Sequence, residues 1–235
     1  MKITNINDKL EEMGVPIESL SLGEFDQIGE HTAKKERSAG SHLYNSVGAF
    51  FRPNYERGLL IYSLIRKHDI RSFLEIGFGR GYGTMCAAKA IHENGGGKVV
   101  SIDPYFDESH IKKLLTIYPK EWFNLIDLRG GFSKDILPEV DEKFDFIYID
   151  GDHTYQAVKF DWENTKDKFN KFLLFDDYHM KSRKGDNIEC AGVIDQIEGY
   201  NKELIIMDRR IFFDDRRIPD EEIDYGQVLV THGKK

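Results

Sequence analysis

The chain has 235 residues, of which 40% are hydrophobic and 12% aromatic, so it can bury one substantial core and is not an intrinsically disordered protein. Its formal net charge of −8 at pH 7 disfavours a general nucleic-acid binder, because binding to phosphates depends on clustered Lys and Arg. Two cysteines far apart in sequence, no apolar run typical of a signal peptide and no stretch long enough to cross a bilayer predict a cytoplasmic protein without disulfides or a membrane partner.

The first 55 residues differ in pattern from the rest of the chain. We therefore divide the sequence into an N-terminal extension or lid, residues 1–55, and one domain, residues 56–235. The extension is polar from Gly29 and becomes aromatic at residues 50–55. It could cover a bound substrate as a lid or lie along a sheet edge as an arm, and the sequence leaves both interpretations open.

From about residue 70 onward, short β-branched or aromatic runs alternate with longer segments of mixed polarity, which is typical of βα units around a parallel sheet. Four runs are almost continuously apolar, as expected for strands covered on both faces, and they predict the centre of the sheet. The seven predicted strands are residues 72–77, 98–103, 123–128, 144–150, 171–176, 203–208 and 227–231. The four predicted helices are residues 83–93, 108–118, 154–169 and 191–199.

No helix is predicted between the last two strands, which should therefore pair antiparallel. The expected fold is α/β: a Rossmann-like, seven-stranded, mostly parallel sheet with an antiparallel C-terminal hairpin strand and helices on both faces. The charged residues 209–225 before the final strand predict a solvated loop, with a substrate-binding lip as the weaker alternative.

A glycine-rich turn follows the first strand, with glycines at positions 77, 79, 81 and 83. Such a turn brings backbone N–H groups and the positive end of a helix close to a ligand, because glycine has no Cβ. A dinucleotide-binding fingerprint would need its last glycine at position 82 or 84, where Tyr82 and Thr84 stand. The spacing therefore argues against a nicotinamide cofactor.

The residues Glu75-x-Gly77-x-Gly79-x-Gly81 resemble the E-x-G-x-G-x-G turn of class I S-adenosylmethionine-dependent methyltransferases. The resemblance implies that this turn, with Gly81 in it, wraps the methionine part of the cofactor, so that Gly77 and Gly79 lie against it. Glu75 is then expected to face the ammonium of the cofactor, directly or through water. A carboxylate there would compensate the positive charges of the sulfonium and ammonium groups. Glu75 could instead be a strand-end acid that caps nearby backbone N–H groups.

Asp103 ends the second predicted strand, about 20 residues after the glycine-rich turn, which is the offset at which an acid accepts hydrogen bonds from ribose hydroxyls. We therefore predict Asp103 as the ribose ligand. Gly131-Phe132-Ser133 resembles the segment that lines the adenine in the same family. Asp150 completes the predicted cofactor-binding set.

Polar residues also follow two strongly apolar strands, as Asp150-Gly151-Asp152-His153 and Asp176-Asp177-Tyr178-His179. The carboxyl ends of parallel strands meet at one edge of a sheet, so these groups should converge. Three converging carboxylates repel one another unless a cation lies between them, and oxygen ligands select a hard ion. We therefore predict Mg²⁺ or another hard divalent cation.

The same stretches resemble metal-dependent O-methyltransferases, in particular the group that includes the macrocin and mycinamicin sugar O-methyltransferases. On that resemblance Asp150, Asp176 and Asp177 bind the metal. His153 is implied as the general base, where catechol-type relatives carry a lysine. Asp150 could instead cap a strand end, and His153 could orient the following helix.

Alternatives for these roles stay open, because His179 could replace His153 as the base or complete the metal shell, and Asp152 could exchange with Asp150. The expected function is a Mg²⁺-assisted, S-adenosylmethionine-dependent O-methyltransferase that acts on a hydroxyl of a small molecule, such as a sugar or glycosylated metabolite. A metal-bound hydroxyl is acidified, and a neighbouring imidazole can then take its proton. The alternatives are a metal-independent N- or O-methyltransferase and a non-catalytic cofactor-binding partner protein. The identity of the acceptor and the oligomeric state stay open.

Overall fold

The structure is a computed structural model that describes residues 1–14, 55–106, 108–179, 188–206 and 225–233. Residues 15–54 of the predicted lid and nearly all of the predicted loop at 209–225 lie outside the described residues, so both stay predictions. Among the described helices, none combines the length and the apolar character that crossing a bilayer requires.

Eight strands form one sheet in the described part of the chain. In chain order they are β1 (Lys2–Asn5), β2 (Ser72–Ile76), β3 (Lys98–Asp103), β4 (Ile126–Gly130), β5 (Phe144–Ile149), β6 (Phe169–His179), β7 (Tyr200–Ile206) and β8 (Tyr225–His232). Across the sheet they lie in the order β1-β7-β8-β6-β5-β2-β3-β4. β8 is antiparallel to its neighbours β6 and β7, and the other neighbouring pairs are parallel. The predicted mostly parallel sheet with an antiparallel strand near its C-terminal end is confirmed.

Helices cover both faces of this sheet, as predicted. One face carries α1 (Ile6–Glu12), α2 (Tyr55–Lys67), α3 (Tyr82–Glu93), α4 (Glu108–Ile117) and α5 (Lys120–Phe123). The other face carries α6 (Ser133–Ile136), the 3-10 turn Leu137–Glu139, α7 (Tyr155–Thr165) and α8 (Cys190–Ile194). The central strands are therefore covered on both sides, which is why they are almost continuously hydrophobic in the sequence.

The sheet has eight strands rather than the seven predicted, because residues near the N-terminus form the edge strand β1. This strand is short and polar, so it lacks the hydrophobic run by which the other strands were recognised. It pairs parallel with β7. The helix α1 follows directly and buries Ile6, Leu10 and Met13 in the core. Residues 1–14 thus contribute to the sheet and to the core of the domain.

The strand β4 begins at Ile126 rather than at the predicted residue 123. The residues just before it form the short helix α5, whose Trp122 is buried and stacks on Tyr118. Burial of this aromatic pair outweighs the β propensity of Phe123, because β propensity depends strongly on tertiary context.

The parallel strands bring the predicted site residues to one edge of the sheet. Ile76 of β2 is level with Ile102 of β3 and with Ile149 of β5, and Ile149 is level with Phe175 of β6. The residues that follow these four positions are all predicted site residues: Gly77, Asp103, Asp150 and Asp176. This edge, formed by the carboxyl ends of the strands, is where sheets of this kind bind ligands.

Candidate functional site

The glycine-rich turn between β2 and α3 has a backbone that side chains other than glycine rarely adopt. The φ angles of Gly77, Gly79 and Gly81 are 95°, 52° and 83°. A Cβ on Gly77 would overlap the backbone carbonyl oxygen of Asp150, whereas a Cβ on Gly79 would meet no atom within 4 Å. The turn is therefore packed against the Asp150 loop on one side and leaves open space at Gly79.

Glu75 lies directly beneath this turn and is only 1% exposed. Its Oε2 accepts hydrogen bonds from the hydroxyls of Thr84 and of Ser101, the latter at 3.2 Å. A Cβ on Gly83 would overlap its Oε1, so a glycine at that position makes room for the carboxyl group. Burial raises the pKa of Glu75 to about 8, although the two hydroxyls oppose the shift.

Asp103 connects the turn to the end of β3. Its Oδ2 accepts a hydrogen bond from the N–H of Gly79 at 3.0 Å, and its Oδ1 accepts one from the N–H of Tyr105 at 2.7 Å. A carboxylate has about four acceptor positions, so two backbone partners leave capacity for a ligand. The structure thus brings Asp103 and the glycine-rich turn together.

The predicted adenine segment joins the same group of residues. The N–H of Gly131 donates to the carbonyl of Asp103 at 3.1 Å. The ring of Phe132 is 48% exposed and lies edge-on to the ring of Tyr105, with centroids 6.0 Å apart. Ser133 opens α6 directly after it. Every predicted cofactor residue therefore lies along one continuous stretch of the sheet edge.

Asp161, in α7, supports the floor of this region and was not predicted. It is 1% exposed, contacts the side chain of Ser133 and has a side-chain oxygen, Oδ1, without a hydrogen-bond partner among the described residues. A Cβ on Gly151 would lie 3.7 Å from its Oδ2. Burial raises the pKa of Asp161 to about 7.

The acid pair Asp176-Asp177 lies in a β-bulge of β6. Phe175 is paired with Val228 and Tyr178 with Gly226, so the two acids lie opposite the single residue Gln227. Asp177 has a left-handed backbone, with φ 50°. In a regular strand the two side chains would point to opposite faces of the sheet. The bulge instead lets both lie at the edge formed by the carboxyl ends of the strands.

The acid cluster consists of Asp150, His153, Asp176 and Asp177. Asp176 is more deeply buried than the other three. One ligand atom each from Asp150, His153 and Asp177 lies within 4.8 Å of the others. The Nε2 atom of His153 is 3.3 Å from Oδ2 of Asp177. Asp176 lies deeper, at 2% exposure, and its Oδ1 accepts the N–H of Asp177 at 2.8 Å. Asp152 lies apart from this cluster and accepts the N–H of Thr154 at 2.8 Å.

Two further side chains hold the deeper acid. The hydroxyl of Tyr148 lies 2.7 Å from Oδ2 of Asp176 and 3.2 Å from Oδ2 of Asp150. The amide nitrogen of Gln227, in β8, donates to the Tyr148 oxygen at 3.2 Å. Since Tyr148 and Gln227 are both buried, this chain of hydrogen bonds fixes Asp176 from below.

A single arginine from α2 also enters the cluster. Arg57 forms an ion pair with Oδ2 of Asp176 and another with Oδ1 of Asp177 at 3.1 Å, and it lies 3.6 Å from Oδ2 of Asp150. The pKa values of the three carboxyl groups shift in different directions. Burial and the neighbouring acids raise the pKa values of Asp150 and Asp177, whereas the pKa of Asp176 is lowered because Arg57 and Tyr148 outweigh its burial.

The donor set of the cluster fits a hard divalent cation. Carboxylate oxygens suit Mg²⁺ and Mn²⁺, and an imidazole nitrogen is compatible with several transition metals. The three mutually close groups are Asp150, His153 and Asp177. This set differs from the predicted one in that His153 takes the place of Asp176, whose Oδ2 is engaged with Tyr148 and Arg57.

The sequence carried a weak signal for some of the residues that were not predicted. Tyr148 is the one hydroxyl in the central strand β5, and a buried tyrosine usually finds a polar partner. Gln227 is likewise a buried amide at the start of an apolar strand. No local pattern singles out Arg57 or Asp161, because each reaches the site only through the packing of its helix.

Comparison with known proteins gives the domain type and the fold. Residues 74–178 match a family model that is described as a methyltransferase domain. No curated protein matches the chain. The solved structures that resemble it include the O-methyltransferase TomG from Streptomyces achromogenes, in complex with S-adenosylmethionine, at 15% identity and a TM-score of 0.59. That match covers 88% of this chain and 90% of the other.

Two further structures support the same fold. The O-methyltransferase from Bacillus cereus, in complex with S-adenosylhomocysteine, is 17% identical, with 98% of both chains covered and a TM-score of 0.59. The S-adenosylhomocysteine-bound methyltransferase PaMTH1 from Podospora anserina is 12% identical, with 88% of both chains covered and a TM-score of 0.58. The chain therefore has the Rossmann-like methyltransferase fold.

Proposed function

We propose that this methyltransferase domain transfers the methyl group of S-adenosylmethionine to a hydroxyl of a small molecule, with Mg²⁺ or another hard divalent cation assisting. One observation carries the proposal: Gly77 is packed so closely on Asp150 that a Cβ there would overlap the Asp150 carbonyl oxygen. The glycine-rich turn, where the cofactor is expected, therefore adjoins the acid cluster, where an acceptor hydroxyl would be activated.

The cofactor assignment rests on the residues along the sheet edge. Glu75 supplies the negative charge that the sulfonium and ammonium groups of S-adenosylmethionine require, acting directly or through water. Asp103 would accept hydrogen bonds from the ribose hydroxyls, and the segment from Gly131 to Ser133 would line the adenine. The complexes of TomG and of the Bacillus cereus enzyme contain S-adenosylmethionine and S-adenosylhomocysteine, respectively, which supports a cofactor of this type for the shared fold.

In this proposal Asp150 and Asp177 hold the metal, with Asp176 or His153 as the third protein ligand. The bound ion would lower the pKa of a coordinated hydroxyl. Tyr148 and Gln227 keep the acids in place, so little reorganisation is needed when the acceptor arrives. The residues at the sheet edge would hold the cofactor and the acceptor next to each other, which is a positioning effect.

The acceptor class follows from the resemblance to the macrocin and mycinamicin group, in which His153 would be the general base. We accordingly assign a sugar or glycosylated metabolite as acceptor. The imidazole of His153 is partly exposed and is oriented by Asp177, so it can reach an acceptor at the sheet edge and take the hydroxyl proton.

A neutral imidazole has only one nitrogen with a free lone pair, so His153 cannot bind the metal and accept a proton at the same time. If it is the base, His153→Gln should lower the rate of methyl transfer by roughly a hundredfold, since a positioned base contributes about that much or more. The affinity for Mg²⁺, measured by titration calorimetry, should change little. A loss of metal affinity parallel to the loss of rate would assign His153 as a ligand instead.

A second candidate, a metal-independent N- or O-methyltransferase, is favoured by the position of Arg57. Its guanidinium already neutralises part of the acid cluster, so the three carboxylates can coexist without a metal. In that case Arg57 and the acids would serve as acceptor-binding groups.

Metal removal distinguishes the two candidates. Labelled S-adenosylmethionine is first incubated with the chain and a panel of hydroxylated sugars and glycosides, and an acceptor that yields S-adenosylhomocysteine is selected. EDTA treatment followed by gel filtration should then lower the rate by more than about tenfold, and Mg²⁺ should restore it. An undiminished rate after metal removal would support the metal-independent candidate. Cofactor binding without turnover on any acceptor would favour a non-catalytic partner protein.

A further inference from the structure

Arg57 is the only cation among the described residues for which ion pairs reach all three acids predicted as metal ligands. Its side chain is 20% exposed, and it approaches Asp176, Asp177 and Asp150 from the first turn of α2. One guanidinium therefore lies at the point where the three carboxylates converge. Its planar fork of N–H donors is suited to binding several carboxylate oxygens at once.

The cluster needs a positive charge. Asp176 is buried, and Asp150 and Asp177 are partly buried, so their mutual repulsion is poorly screened by solvent. Tyr148 offers the acids its one hydroxyl proton but no charge. Without Arg57, the fold would either protonate these carboxyls or hold several uncompensated negative charges close together, and both are costly.

We infer that Arg57 is a built-in counter-ion that occupies the acid cluster before a divalent cation binds and withdraws when the cation enters. The inference rests on the metal site of the proposed function. Arg57 contacts Oδ2 of Asp150 and Oδ1 of Asp177, two of the carboxylates that would coordinate the ion, and two cations cannot both lie in this cluster at contact distance. Arg57 is thus a positioning residue that competes with the metal.

This competition has a measurable consequence. The ion pairs of Arg57 must be broken before the metal can bind, so the apparent metal affinity is the intrinsic affinity reduced by the small fraction of molecules in which the cluster is vacant. Removing the guanidinium should therefore tighten metal binding. The same substitution should destabilise the metal-free chain, because it leaves the acids without a counter-ion.

The test compares Mg²⁺ binding by calorimetry in the wild-type chain and in Arg57→Gln, with Mn²⁺ as a second probe followed by electron paramagnetic resonance. We expect Arg57→Gln to bind Mg²⁺ at least about tenfold more tightly than the wild type. The matched control is Arg66→Gln, which removes the same charge from the same helix but contacts Glu93 and Asn94 instead of the cluster. Its metal affinity should stay within about twofold of the wild type, because distant surface charges are screened.

Thermal unfolding gives an independent readout. The midpoint of Arg57→Gln should fall below that of the wild type without metal, and Mg²⁺ should raise it by more than it raises the wild-type midpoint. If Arg57→Gln does not fold without metal, Arg57→Lys is the alternative variant. It keeps the positive charge but loses the planar set of guanidinium N–H donors. The lysine variant should bind Mg²⁺ more tightly than the wild type by about threefold or more, because a single ammonium spans fewer oxygens.

The outcomes separate this inference from the proposed function. Equal Mg²⁺ affinities in the wild type and in the Arg57 variants would overturn the inference and leave the metal site standing. If Arg57→Gln binds Mg²⁺ and the wild type does not, the inference is supported. The proposal that Mg²⁺ assists methyl transfer in the wild type would then be wrong. Binding in neither protein would overturn both.

Discussion

Asp177→Asn should lower the rate of methyl transfer by roughly a thousandfold, on the order of 4 kcal/mol of transition-state stabilisation. Asp177 is the acid that contacts both His153 and Arg57, so its charge serves the metal, the base and the counter-ion at once. Asparagine keeps the size of the side chain and tolerates the left-handed backbone at this position, so the bulge should survive. The measurement is S-adenosylhomocysteine formation with an acceptor that the wild type methylates.

The matched control for this prediction is Asp152→Asn. Asp152 is an exposed acid in the neighbouring loop, and an asparagine there can still accept the N–H of Thr154. Its rate should stay within about threefold of the wild type, since exposed substitutions away from a site have small effects. If Asp177→Asn were as active as this control, the acid cluster would have no part in the reaction.

Glu75→Gln should weaken S-adenosylmethionine binding by a few hundredfold, on the order of 3–4 kcal/mol, because the cationic cofactor would lose a buried partner charge. The amide can still accept hydrogen bonds from Thr84 and Ser101, so the local packing should persist. Calorimetric titration measures the loss. Glu142→Gln is the control, because Glu142 pairs with Lys98 and Arg129 outside the candidate site.

The pH dependence gives a second signature of Glu75. Its pKa is about 8 in the folded, unliganded chain against an ordinary value of 4.5, so the folded state holds a proton that the unfolded state has released. The stability of the unliganded chain should therefore fall as pH rises from about 5 to 8, by on the order of 4 kcal/mol from this group. Glu75→Gln should lose that component of the pH dependence.

Cofactor affinity should change with pH in the opposite direction. S-adenosylmethionine is cationic, so it should bind the ionised form of Glu75, and the wild-type affinity should rise with pH until it levels off near 8. In Glu75→Gln the affinity should lack this rise. A wild-type affinity that is flat between pH 6 and 8 would separate Glu75 from cofactor recognition.

The centre of the fold could be predicted from the sequence because its strands are covered on both faces. Runs such as residues 73–76 and 146–149 are almost continuously apolar, and their alternation with helical segments along the chain predicts a parallel sheet. The edge strand β1 was not predicted, because a strand with only one neighbouring strand can be short and polar. The displaced start of β4 reflects the burial of Trp122, which is a tertiary effect.

The residues of the candidate site that lie at strand ends could be predicted from the sequence. Gly77 and Asp150 come directly after strands and Asp103 ends one, so their meeting at one edge follows from parallel topology. The depth of Asp176 was not predictable, because it depends on a bulge that only the pairing of β6 with β8 reveals. Arg57 depends on the angle at which α2 packs, which no local spacing encodes.

The position of β8 in the sheet affects when the acid cluster forms during folding. β8 lies between β6 and β7, and Gln227 stands opposite the bulge although it comes about 50 positions later in the chain. Until β8 inserts, Asp176 and Asp177 have no partner strand to define their geometry. The acid cluster should thus be a late product of folding, and the amides of β8 and of the bulge should exchange hydrogen in a single opening event.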